Sequence, residues 1–475
     1  MTKTEEFAAD PGRHAWYFCG IGGSGMLPLA LILRGLGAAV AGSDRSRDQG
    51  RTPEKFAWLE SLGVTLHPQD GSGIVSSDQI LVASAAVEDT VPEIMAARAH
   101  GTARLSRAEL LAALFNRAVS PIAVAGTSGK STVTGMIGWI LTDAGHDPTI
   151  MNGAVMKNFV SPDAPFASAR VGKGVDFVAE VDESDGSIAL YRPQVGVLGN
   201  VSLDHKSLDE LRVLFGDFVA ASGAVAINAD DAESMALARR ARTALLFGLG
   251  ESAVIAADLA TIVESATGIA ATVTDRRDGA IYPLALLIPG RHNLMNALAA
   301  LAGAALAGVP LATAVAALGR FAGLARRFDI IGTTPGDVTV IDDFGHNPEK
   351  VAATLATLRA HPGRVIALFQ PHGYGPLRQM GVELAQVLAT RLGPDDQVIL
   401  TDPVYFGGTV DRSIGSEQIV ALINAAGGHA RHLPTREAAA EAIAAMARPG
   451  DRVVVMGARD DTLAQVARDL LRRIA

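Results

Sequence analysis

The sequence is poor in cysteine, in aromatic residues and in clustered positive charge, and each shortage excludes a class of protein. Cys19 is the only cysteine, so the chain can form neither an internal disulfide nor a zinc site of the CxxC kind. Aromatic residues make up 5% of the chain, and 41 basic residues face 50 acidic ones, for a formal charge of -9. Because binding to a nucleic-acid backbone needs clustered Lys and Arg, we expect no nucleic acid as a partner.

Long uninterrupted apolar runs are also missing. The most Ala-rich stretch, residues 296–318, is broken by Gly and Pro, which predicts two packed helices instead of a membrane span. The first residues, MTKTEEFAADPGRHAW, are polar and acidic, unlike a secretory signal. We therefore expect a cytoplasmic protein with no membrane partner.

Apolar strands that alternate with helical patterns are abundant, as is typical of an α/β protein with parallel sheets. A chain of 475 residues is long enough for about three domains of roughly 150 residues. We predict domains at residues 1–119, 120–325 and 326–475. The clearest predicted strands are Trp16–Cys19, Ala38–Gly42, Gln79–Ser84, Ile122–Ala125, Phe177–Val181, Val195–Leu198, Val338–Ile341 and Arg452–Met456.

A glycine-rich turn follows the first predicted strand. Gly20, Gly22 and Gly25 form the pattern GxGxxG, and Asp44 ends the next strand, at about the spacing of the ribose-binding acid in dinucleotide folds. Glycines let the backbone approach a diphosphate, and the start of the following helix supplies amide donors. The motif fits NAD, the diphosphate of UDP, or a tight turn without any ligand.

A second phosphate-binding motif opens the middle region, where a strand leads into GTSGKST and then into a helical pattern. Backbone N–H groups of such a loop bind a phosphate chain, Lys130 would neutralise the β- and γ-phosphates, and Ser131 would offer its hydroxyl to Mg²⁺. The full P-loop pattern has a Gly where Val124 stands, so this is a short form. The predicted ATP-binding loop comprises Gly126, Thr127, Ser128, Gly129, Lys130, Ser131 and Thr132.

Acidic residues and a histidine follow two later strands. The first group is Glu180, Asp182, Glu183 and Asp185, and the second segment, GNVSLDH, ends at His205. Such side chains at strand ends near a triphosphate suit Mg²⁺ or the orientation of water, and a solvated acidic loop is the alternative. Further along, His292, Asn293 and Asn296 lie near the start of the Ala-rich helices, where helix capping is the plain alternative.

Together these segments resemble the Mur ligase family over almost the whole chain, and most closely its L-alanine-adding and tripeptide-recycling branches. The motifs that carry the resemblance are GIGGSGM (20–26), GSD (42–44), ASAAVEDTVPEI (83–94), GTSGKST (126–132), AEVDESD (179–185), NVSLDH (200–205), GRHNLMN (290–296), RRFD (326–329), DDFGHNP (342–348) and FQPH (369–372). Their order and spacing are similar to those of the family.

The resemblance implies a UDP-binding Rossmann-like domain, a central P-loop ATPase domain with a mainly parallel sheet, and a C-terminal Rossmann-like domain. It implies ATP and Mg²⁺, or Mn²⁺ in its place, with Lys130, Glu180 and His205 as catalytic residues and Ser131, Glu180 and His205 as metal ligands. The other implied ATP contacts are His292, Asn293, Asn296, Arg327, Asp343 and His346. The implied contacts of the UDP-linked substrate are Gly20, Ile21, Gly22, Gly23, Ser24, Gly25, Asp44 and Ser84.

Several positions depart from the family's usual residues. They are Ser128 for His, Ser131 for Thr, Asn347 for His, and Gly373 and Pro376 for Arg. Ser131 keeps the hydroxyl, whereas Gly373 and Pro376 remove two guanidinium groups beside FQPH. On the amine side this leaves His372 and Arg378, with Arg459 as a further basic residue that could hold a substrate carboxylate.

The expected reaction is ATP-dependent ligation of the carboxylate of a UDP-linked sugar acid to an amine through an acyl phosphate. By resemblance the acid is UDP-N-acetylmuramate and the amine L-alanine, in peptidoglycan precursor synthesis. The alternatives are tripeptide recycling and a related ligase with another acceptor or amine. An NAD-dependent oxidoreductase and a non-catalytic nucleotide-binding regulator belong to different classes, and NAD would explain the glycine turn but not the second loop.

Overall fold

The computed structural model describes residues 2–85, 87–202, 206–404, 411–458 and 460–475. It confirms an α/β fold with mainly parallel sheets. The chain divides into two compact units, the first made of residues 1–263, 270–287 and 292–323, and the second of residues 264–269, 288–291 and 324–475.

The N-terminal part of the first unit is a five-stranded parallel sheet in the order β3-β2-β1-β4-β5. Its strands are β1 Ala15–Cys19, β2 Ala39–Ser43, β3 Thr65–His67, β4 Gln79–Ala83 and β5 Ala103–Ser106. Its helices are α1 Lys3–Ala9, α2 Met26–Gly35, α3 Arg45–Asp48, α4 Pro53–Ser61, α5 Pro92–His100 and α6 Arg107–Asn116. Apolar side chains of β1 and α2, among them Trp16, Phe18 and Leu29, are buried together in one core.

The central sheet of eleven strands has the order β14-β15-β13-β12-β11-β10-β6-β9-β7-β8, with β16 paired to β15. Its strands are β6 Ser120–Ala125, β7 Thr149–Met151, β8 Ala169–Arg170, β9 Asp176–Glu180, β10 Val195–Leu198, β11 Ala224–Asn228, β12 Ala244–Gly248, β13 Ile255–Ala257, β14 Val263–Ser265, β15 Gly268–Asp275 and β16 Ala280–Leu286. In this spatial order, all neighbouring strands from β13 to β7 are parallel. Strand β8 pairs antiparallel with β7 at one side, and β15 pairs antiparallel with β13 at the other. Strand β6 is buried on both faces, which explains its continuous apolar sequence.

The helices of this part are α7 Lys130–Asp143, α8 Leu208–Ala221, α9 Ala232–Leu237, α10 Arg291–Leu306 and α11 Leu311–Leu318. The Ala-rich stretch forms α10 and α11, as predicted, and the break falls at Gly308 and Pro310. Small side chains let helices approach closely, and most of α10 is buried. Within the described residues, no helix is long and apolar enough to cross a membrane.

The second unit contains a six-stranded sheet in the order β17-β18-β22-β19-β20-β21, parallel except for β17 at the edge. Its strands are β17 Asp329–Thr333, β18 Thr339–Asp343, β19 Val365–Phe369, β20 Gln397–Leu400, β21 Ala430–His432 and β22 Arg452–Met456. Its helices are α12 Pro348–Arg359, α13 Tyr374–Arg391, α14 Ser416–Ala425, α15 Arg436–Met446 and α16 Leu463–Ile474. Separate cores lie on the two faces of the sheet.

Candidate active site

The GTSGKST loop connects β6 to α7 in the first unit. Gly126 has a φ of 132° and Gly129 a φ of 85°, a region that glycine adopts without strain. A Cβ at Gly129 would also collide with the side-chain amide of Asn296. Helix α7 begins at Lys130, so the N–H groups of its first turn lack intrahelical acceptors and can bind an anion.

Asn200, just after β10, holds the loop from the neighbouring strand. Its side-chain oxygen accepts from the Ser128 N–H at 3.0 Å, and its carbonyl accepts from the Thr127 N–H at 3.0 Å. The Thr127 hydroxyl donates to the carbonyl of Ser202 at 3.1 Å. These bonds use two loop amides within the protein, and the amides at the start of α7 are oriented as donors that could bind a phosphate. The sequence pattern alone indicates no role for Asn200, although the residue lies in the NVSLDH motif.

The two functional side chains at the start of α7 both meet carboxylates that follow β9. Strand β9 is the parallel neighbour of β6, with Glu180 opposite Val124. The Lys130 ammonium lies 2.7 Å from a Glu183 carboxylate oxygen, and the Ser131 hydroxyl donates to Glu180 at 2.7 Å. The structure thus brings together the loop and the acidic segment, because parallel strands β6 and β9 end at the same edge of the sheet.

Asp182 and Asp185 of the acidic segment are less buried than Glu183, and each lies near a positively charged side chain. Burial raises the pKa of the Asp182 carboxyl, but the N–H and hydroxyl of Ser184 and the charge of Lys130 outweigh it, and the pKa lies below its usual value. The Arg107 guanidinium lies 3.9 Å from an Asp185 carboxylate oxygen. Within this segment, Asp182 and Glu183 thus interact with Lys130, whereas Ser184 and Asp185 are exposed to solvent.

Asn293 and Asn296 lie in the first turns of α10, and Asn296 reaches the loop at Gly129. The Asn296 side-chain amide is 3.3 Å from the Asn293 side-chain oxygen, and Asn293 is buried. His292 precedes this pair on the same helix. His205, predicted as a catalytic and metal-binding residue, lies outside the described residues, as does Arg459.

The glycine turn of the N-terminal sheet is largely closed by its own hydrogen bonds. The Gly20 and Ile21 amides donate to the carbonyl of Ser43 at 2.8 and 3.0 Å, and the Gly23 amide donates to Gly20 at 3.0 Å. The amides of Ser24 and Gly25 are the donors of the turn with no acceptor in the described part of the chain. Fewer amides of this turn are therefore left to donate to a diphosphate than the full GxGxxG motif suggests.

Asp44 points into this turn. Its carboxylate accepts from the Gly22 N–H at 2.8 Å and from the Ser46 N–H at 2.8 Å, where it caps α3. A Cβ at Gly22 would lie 3.0 Å from that carboxylate. The buried ammonium of Lys55 donates to the Gly22 carbonyl at 3.2 Å. Asp44 therefore stabilises the turn, and its predicted contact with substrate remains a prediction, as does that of Ser84, which directly follows β4.

In the second unit, Arg327 lies in a turn with unusual backbone angles. Arg326 has a φ of 61° and Phe328 a φ of 47°, both in the left-handed region that non-glycine residues seldom adopt. The Asp343 carboxylate holds this turn by accepting from the Phe328 N–H at 2.8 Å. It also accepts from the Gly345 N–H at 3.0 Å and the Thr354 hydroxyl at 2.7 Å. Asp343 is therefore fully engaged within the unit.

The two arginines of this turn differ in their surroundings. The Arg327 guanidinium lies over the Phe344 ring at 4.7 Å. Arg326 is buried, donates to the Gly457 carbonyl at 2.6 Å and lies 3.6 Å from a carboxylate oxygen of Asp342. Burial raises the pKa of Asp342 to about 7 despite this arginine. Arg326 is thus part of the framework, whereas the Arg327 side chain is the less buried of the two.

His346 is neutral at physiological pH. Burial, with the nearby charge of Lys350, lowers its pKa to about 3. Its Nδ1 lies 2.9 Å from the Phe344 carbonyl, which can only accept, so Nδ1 carries the proton and Nε2 is a hydrogen-bond acceptor. The His372 ring lies edge-on to it at 5.0 Å, and both line a small pocket with apolar neighbours such as Pro376 and Met380.

The positions that depart from the family's usual residues lie at helix starts. Asn347 caps α12, its side-chain oxygen accepting from the Lys350 N–H at 2.9 Å. Gly373 caps α13 with a φ of 146°, and Pro376 is the third residue of that helix. Arg378, predicted on the amine side, is paired with Asp411 at 2.8 Å.

One basic residue beside FQPH could not be recognised from the sequence. Arg436, at the start of α15, donates to the Gln370 side-chain oxygen at 2.5 Å and to the Thr462 hydroxyl at 2.6 Å. It also pairs with Asp460, which is buried. No sequence signal links α15 to this motif, because the connection depends on the order of strands in the sheet. Arg436 stabilises the FQPH segment and its charge is neutralised.

The first unit has a phosphate loop whose lysine and serine meet carboxylates from the neighbouring parallel strand. A sheet of this order with such a loop defines the class of P-loop nucleotide-dependent enzymes. Comparisons with known proteins agree with this class. Three family models match, described as the Mur ligase family catalytic domain at residues 16–118, the Mur ligase middle domain at 124–304 and the Mur ligase glutamate ligase domain at 326–459.

The chain belongs to the Mur ligase family. The UDP-N-acetylmuramate–L-alanine ligase of Streptomyces coelicolor is 36% identical over 466 residues, which cover 94% of this chain and 95% of that protein. The solved UDP-N-acetylmuramate–alanine ligase of Thermotoga maritima is 25% identical with a TM-score of 0.80, covering 97% of this chain and 98% of that one. A murein peptide ligase from Psychrobacter arcticus is 26% identical with a TM-score of 0.72 and the same coverage.

Members of this family are ATP-dependent ligases that form amide bonds in peptidoglycan precursor synthesis, and the chain is a ligase of this kind. The family resemblance and the three-part fold predicted from sequence are confirmed. The alternative of an NAD-dependent oxidoreductase is wrong, because the chain is a ligase of the Mur family.

Proposed function

We propose that the protein joins the carboxylate of UDP-N-acetylmuramate to the amine of L-alanine, with ATP converted to ADP and phosphate. The observation that carries the proposal is the 36% identity, over nearly the whole chain, to ligases named for this reaction. The geometry at Lys130 and Ser131 supports the ATP half of the reaction. We place the reaction in the cytoplasm, where ATP is available.

We propose residues 1–119 for the UDP-linked substrate, 120–325 for ATP and 326–475 for the C-terminal domain. Family matches at 16–118, 124–304 and 326–459 support these limits.

The residues present fit a divalent metal beside the loop. Ser131 and Glu180 offer a hydroxyl and a carboxylate oxygen 2.7 Å apart, and oxygen donors suit Mg²⁺. A Cβ at Gly153 would collide with Glu180, so glycine leaves room for this carboxylate. The described residues contain no group of three or more His, Cys, Asp or Glu side chains that could hold a metal ion by themselves, but Mg²⁺ usually needs only one or two carboxylates together with substrate phosphates. When bound, it would neutralise charge on the transferred phosphoryl group.

The protein side chains would then act on ATP and the acid in turn. Lys130 and the loop amides hold the β- and γ-phosphates while a carboxylate oxygen attacks the γ-phosphorus, giving an acyl phosphate and ADP. The amine attacks the acyl carbon, loses a proton and expels phosphate, so the C–O bond breaks as the C–N bond forms. Holding the reactants in line and offsetting crowded negative charge are the main tasks of the protein.

In the second unit, Arg327 is the residue that we propose contacts ATP. The Asp343 carboxylate accepts from three protein donors, so we propose that it supports the turn that carries Arg327. His346 is neutral, and we propose that it offers a hydrogen-bond acceptor to the ligand. We propose the pocket beside His372 for the amine. Its apolar walls at Pro376 and Met380 suit a small side chain such as the methyl group of L-alanine.

The test is phosphate release and product mass with MgATP, UDP-N-acetylmuramate and a panel of amines. The panel contains L-alanine, glycine, L-serine and the murein tripeptide. Turnover with L-alanine well above the others supports the proposal. Preference for the tripeptide would assign the protein to recycling, which the likeness to the Psychrobacter arcticus ligase makes the second candidate. No phosphate release with any combination would contradict catalysis.

A further inference from the structure

Asn152 is a buried polar residue to which neither the motifs nor the proposed reaction gives a role. It directly follows β7 and is 0% exposed. Its side-chain amide donates to the carbonyl of Ser131 at 2.9 Å, and its side-chain oxygen accepts from the Ala154 N–H at 3.0 Å. Its own N–H donates to the Ser168 carbonyl at 2.9 Å. A buried amide is tolerated only where such bonds satisfy it, so this position needs a side chain with both a donor and an acceptor.

The bond to Ser131 ties β7 to the first turn of α7. Ser131 is the second residue of that helix, and its carbonyl also accepts from the N–H four residues further on, as in any α-helix. A carbonyl oxygen has two lone pairs, so both bonds can form together. In the strand order β10-β6-β9-β7, Asn200 follows β10 and holds the loop from one side, while Asn152 holds the start of the helix from the other. The chain that leaves β6 is therefore fixed from both sides.

The next residue, Gly153, lies against the two oxygens proposed to bind the metal. A Cβ built there would collide with a Glu180 carboxylate oxygen and would lie 3.6 Å from the Ser131 Oγ. Gly153 is not among the residues with a positive φ, so space and not backbone conformation favours glycine here. Asn152 and Gly153 thus act on the same pair of oxygens, one through the helix backbone and the other through the space left for the carboxylate.

The spacing of this pair leaves little tolerance for movement. The Ser131 hydroxyl oxygen and a Glu180 carboxylate oxygen lie 2.7 Å apart. Mg²⁺ demands near-ideal octahedral geometry with metal–oxygen distances of about 2.0–2.1 Å, which places neighbouring ligand oxygens about 2.9 Å apart. Residues that orient metal ligands without touching the metal typically change metal affinity or activity by about 10- to 100-fold when they are replaced.

We propose that Asn152 is a positioning residue for the metal-binding pair, acting through the Ser131 carbonyl to keep the Ser131 hydroxyl opposite Glu180. This rests on the proposed function, since it needs a metal beside the ATP loop, but it does not depend on which acid and amine are joined. Asn152 itself touches neither metal nor substrate. Loss of its amide releases the first turn of α7 from β7, and the hydroxyl then has no fixed position opposite the carboxylate.

The experiment measures binding of Mn²⁺, which like Mg²⁺ favours six oxygen donors, to the full chain in the presence of ADP. Free Mn²⁺ is followed by electron paramagnetic resonance, and metal-free binding of ADP by calorimetry in EDTA. We expect Asn152→Ala to weaken Mn²⁺ binding by about 10- to 100-fold and to leave metal-free ADP binding unchanged. Gly153→Ala should weaken Mn²⁺ binding as well, because it displaces the Glu180 carboxylate. In turnover, both variants should need more Mg²⁺ for half-maximal activity, at an unchanged KM for UDP-N-acetylmuramate.

Asn158 supplies the matched control. It lies in the same segment, and its side chain also bonds one backbone carbonyl, that of Arg320 at 2.8 Å, and one backbone N–H, that of Ala322 at 2.8 Å. These partners follow α11 and belong to neither the phosphate loop nor the acidic segment. Asn158→Ala should therefore lower the urea midpoint followed by tryptophan fluorescence and leave Mn²⁺ binding unchanged.

Two results would overturn the inference. Asn152→Ala, shown to be folded by its urea transition, could bind Mn²⁺ as tightly as wild type does. Alternatively, Asn158→Ala could weaken Mn²⁺ binding as much as Asn152→Ala, which would make the effect one of general stability. If Asn152→Ala does not fold, Asn152→Ser, which keeps a shorter polar side chain in the buried site, replaces it in the same comparison. The proposed function fails separately, through a wild-type protein that binds Mn²⁺ and ADP but releases no phosphate with any acid and amine.

Discussion

Replacing Lys130 by Met should abolish ligation and also destabilise the first unit, for two different reasons. Lys130 is the predicted phosphate ligand, and its ammonium is also the partner of Glu183 at 2.7 Å. The Lys130 side chain is 19% exposed and the Glu183 side chain 6% exposed. A single substitution therefore leaves a carboxylate that is buried and unpaired.

The two effects have different sizes. Loss of one preorganised donor to the transferred phosphoryl group should lower kcat by on the order of 10²–10³ or more, equivalent to roughly 3–4 kcal/mol. Breaking a buried ion pair by removing one partner costs about 3–5 kcal/mol of stability. The double variant Lys130→Met with Glu183→Gln removes both charges, so most of the stability should return while ligation stays lost.

All three tryptophans, Trp16, Trp58 and Trp139, lie in the first unit, so tryptophan fluorescence during urea unfolding reports on that unit. Ligation is measured by phosphate release with MgATP, UDP-N-acetylmuramate and L-alanine. Near-normal ligation by the double variant would remove Lys130 from the mechanism. A single variant as stable as wild type would refute the argument from the buried carboxylate.

Three further predictions concern other parts of the chain. Glu180→Gln should raise the Mg²⁺ concentration for half-maximal activity by about tenfold, because it weakens an oxygen ligand, and an unchanged Mg²⁺ titration would contradict this. The buried Asp342 has its pKa raised to about 7 against an unfolded value of about 3.9, so its protonated form stabilises the second unit at low pH and this stability is lost as pH rises through about 7. The melting temperature of Asp342→Asn relative to wild type, followed by calorimetry, should therefore increase from pH 5 to pH 8, and a constant difference would refute the shift. Gly373→Arg should cost about 1–3 kcal/mol because its φ of 146° suits glycine, whereas Pro376→Arg should fold normally and is the variant to test for altered amine preference; equal melting temperatures of the two would contradict the strain.

Strands that are buried on both faces were predictable from sequence, and those at the sides of the central sheet were not. The continuous apolar runs of β6 and β10 end in glycine or polar turns, so type and limits could be predicted to within two residues. Strands β12 to β16 alternate exposed and buried residues or are only three residues long. Pro283 within β16 also argues against a strand, and an edge position is where proline is tolerated.

The candidate site was predictable as a set of residues but not as a set of contacts. Lys130 and Glu183 are 53 positions apart, and their meeting depends on β9 lying beside β6, which no local pattern specifies. At Asp44, by contrast, the sequence spacing predicts a contact with a ribose, but the structure shows a contact within the turn. There the missing Cβ of Gly22 lets the carboxylate reach the turn's own N–H. A glycine in this motif can therefore serve the fold as much as a diphosphate.

The unusual residues of the second unit are explained by the helices that they begin. Asn is among the best N-cap residues, and Asn347 makes the expected bond to the third residue of α12. Gly373 adopts an angle that suits only glycine, and proline is tolerated in the first turn of a helix, where Pro376 lies. The two arginine forks are absent, and the neighbouring Arg378 and Arg436 are paired with Asp411 and Asp460. Among the described residues of this unit, we therefore propose that neutral His346 and the pocket beside it receive the amine, and a pocket with these apolar walls favours a small amino acid over a tripeptide that brings several carboxylates.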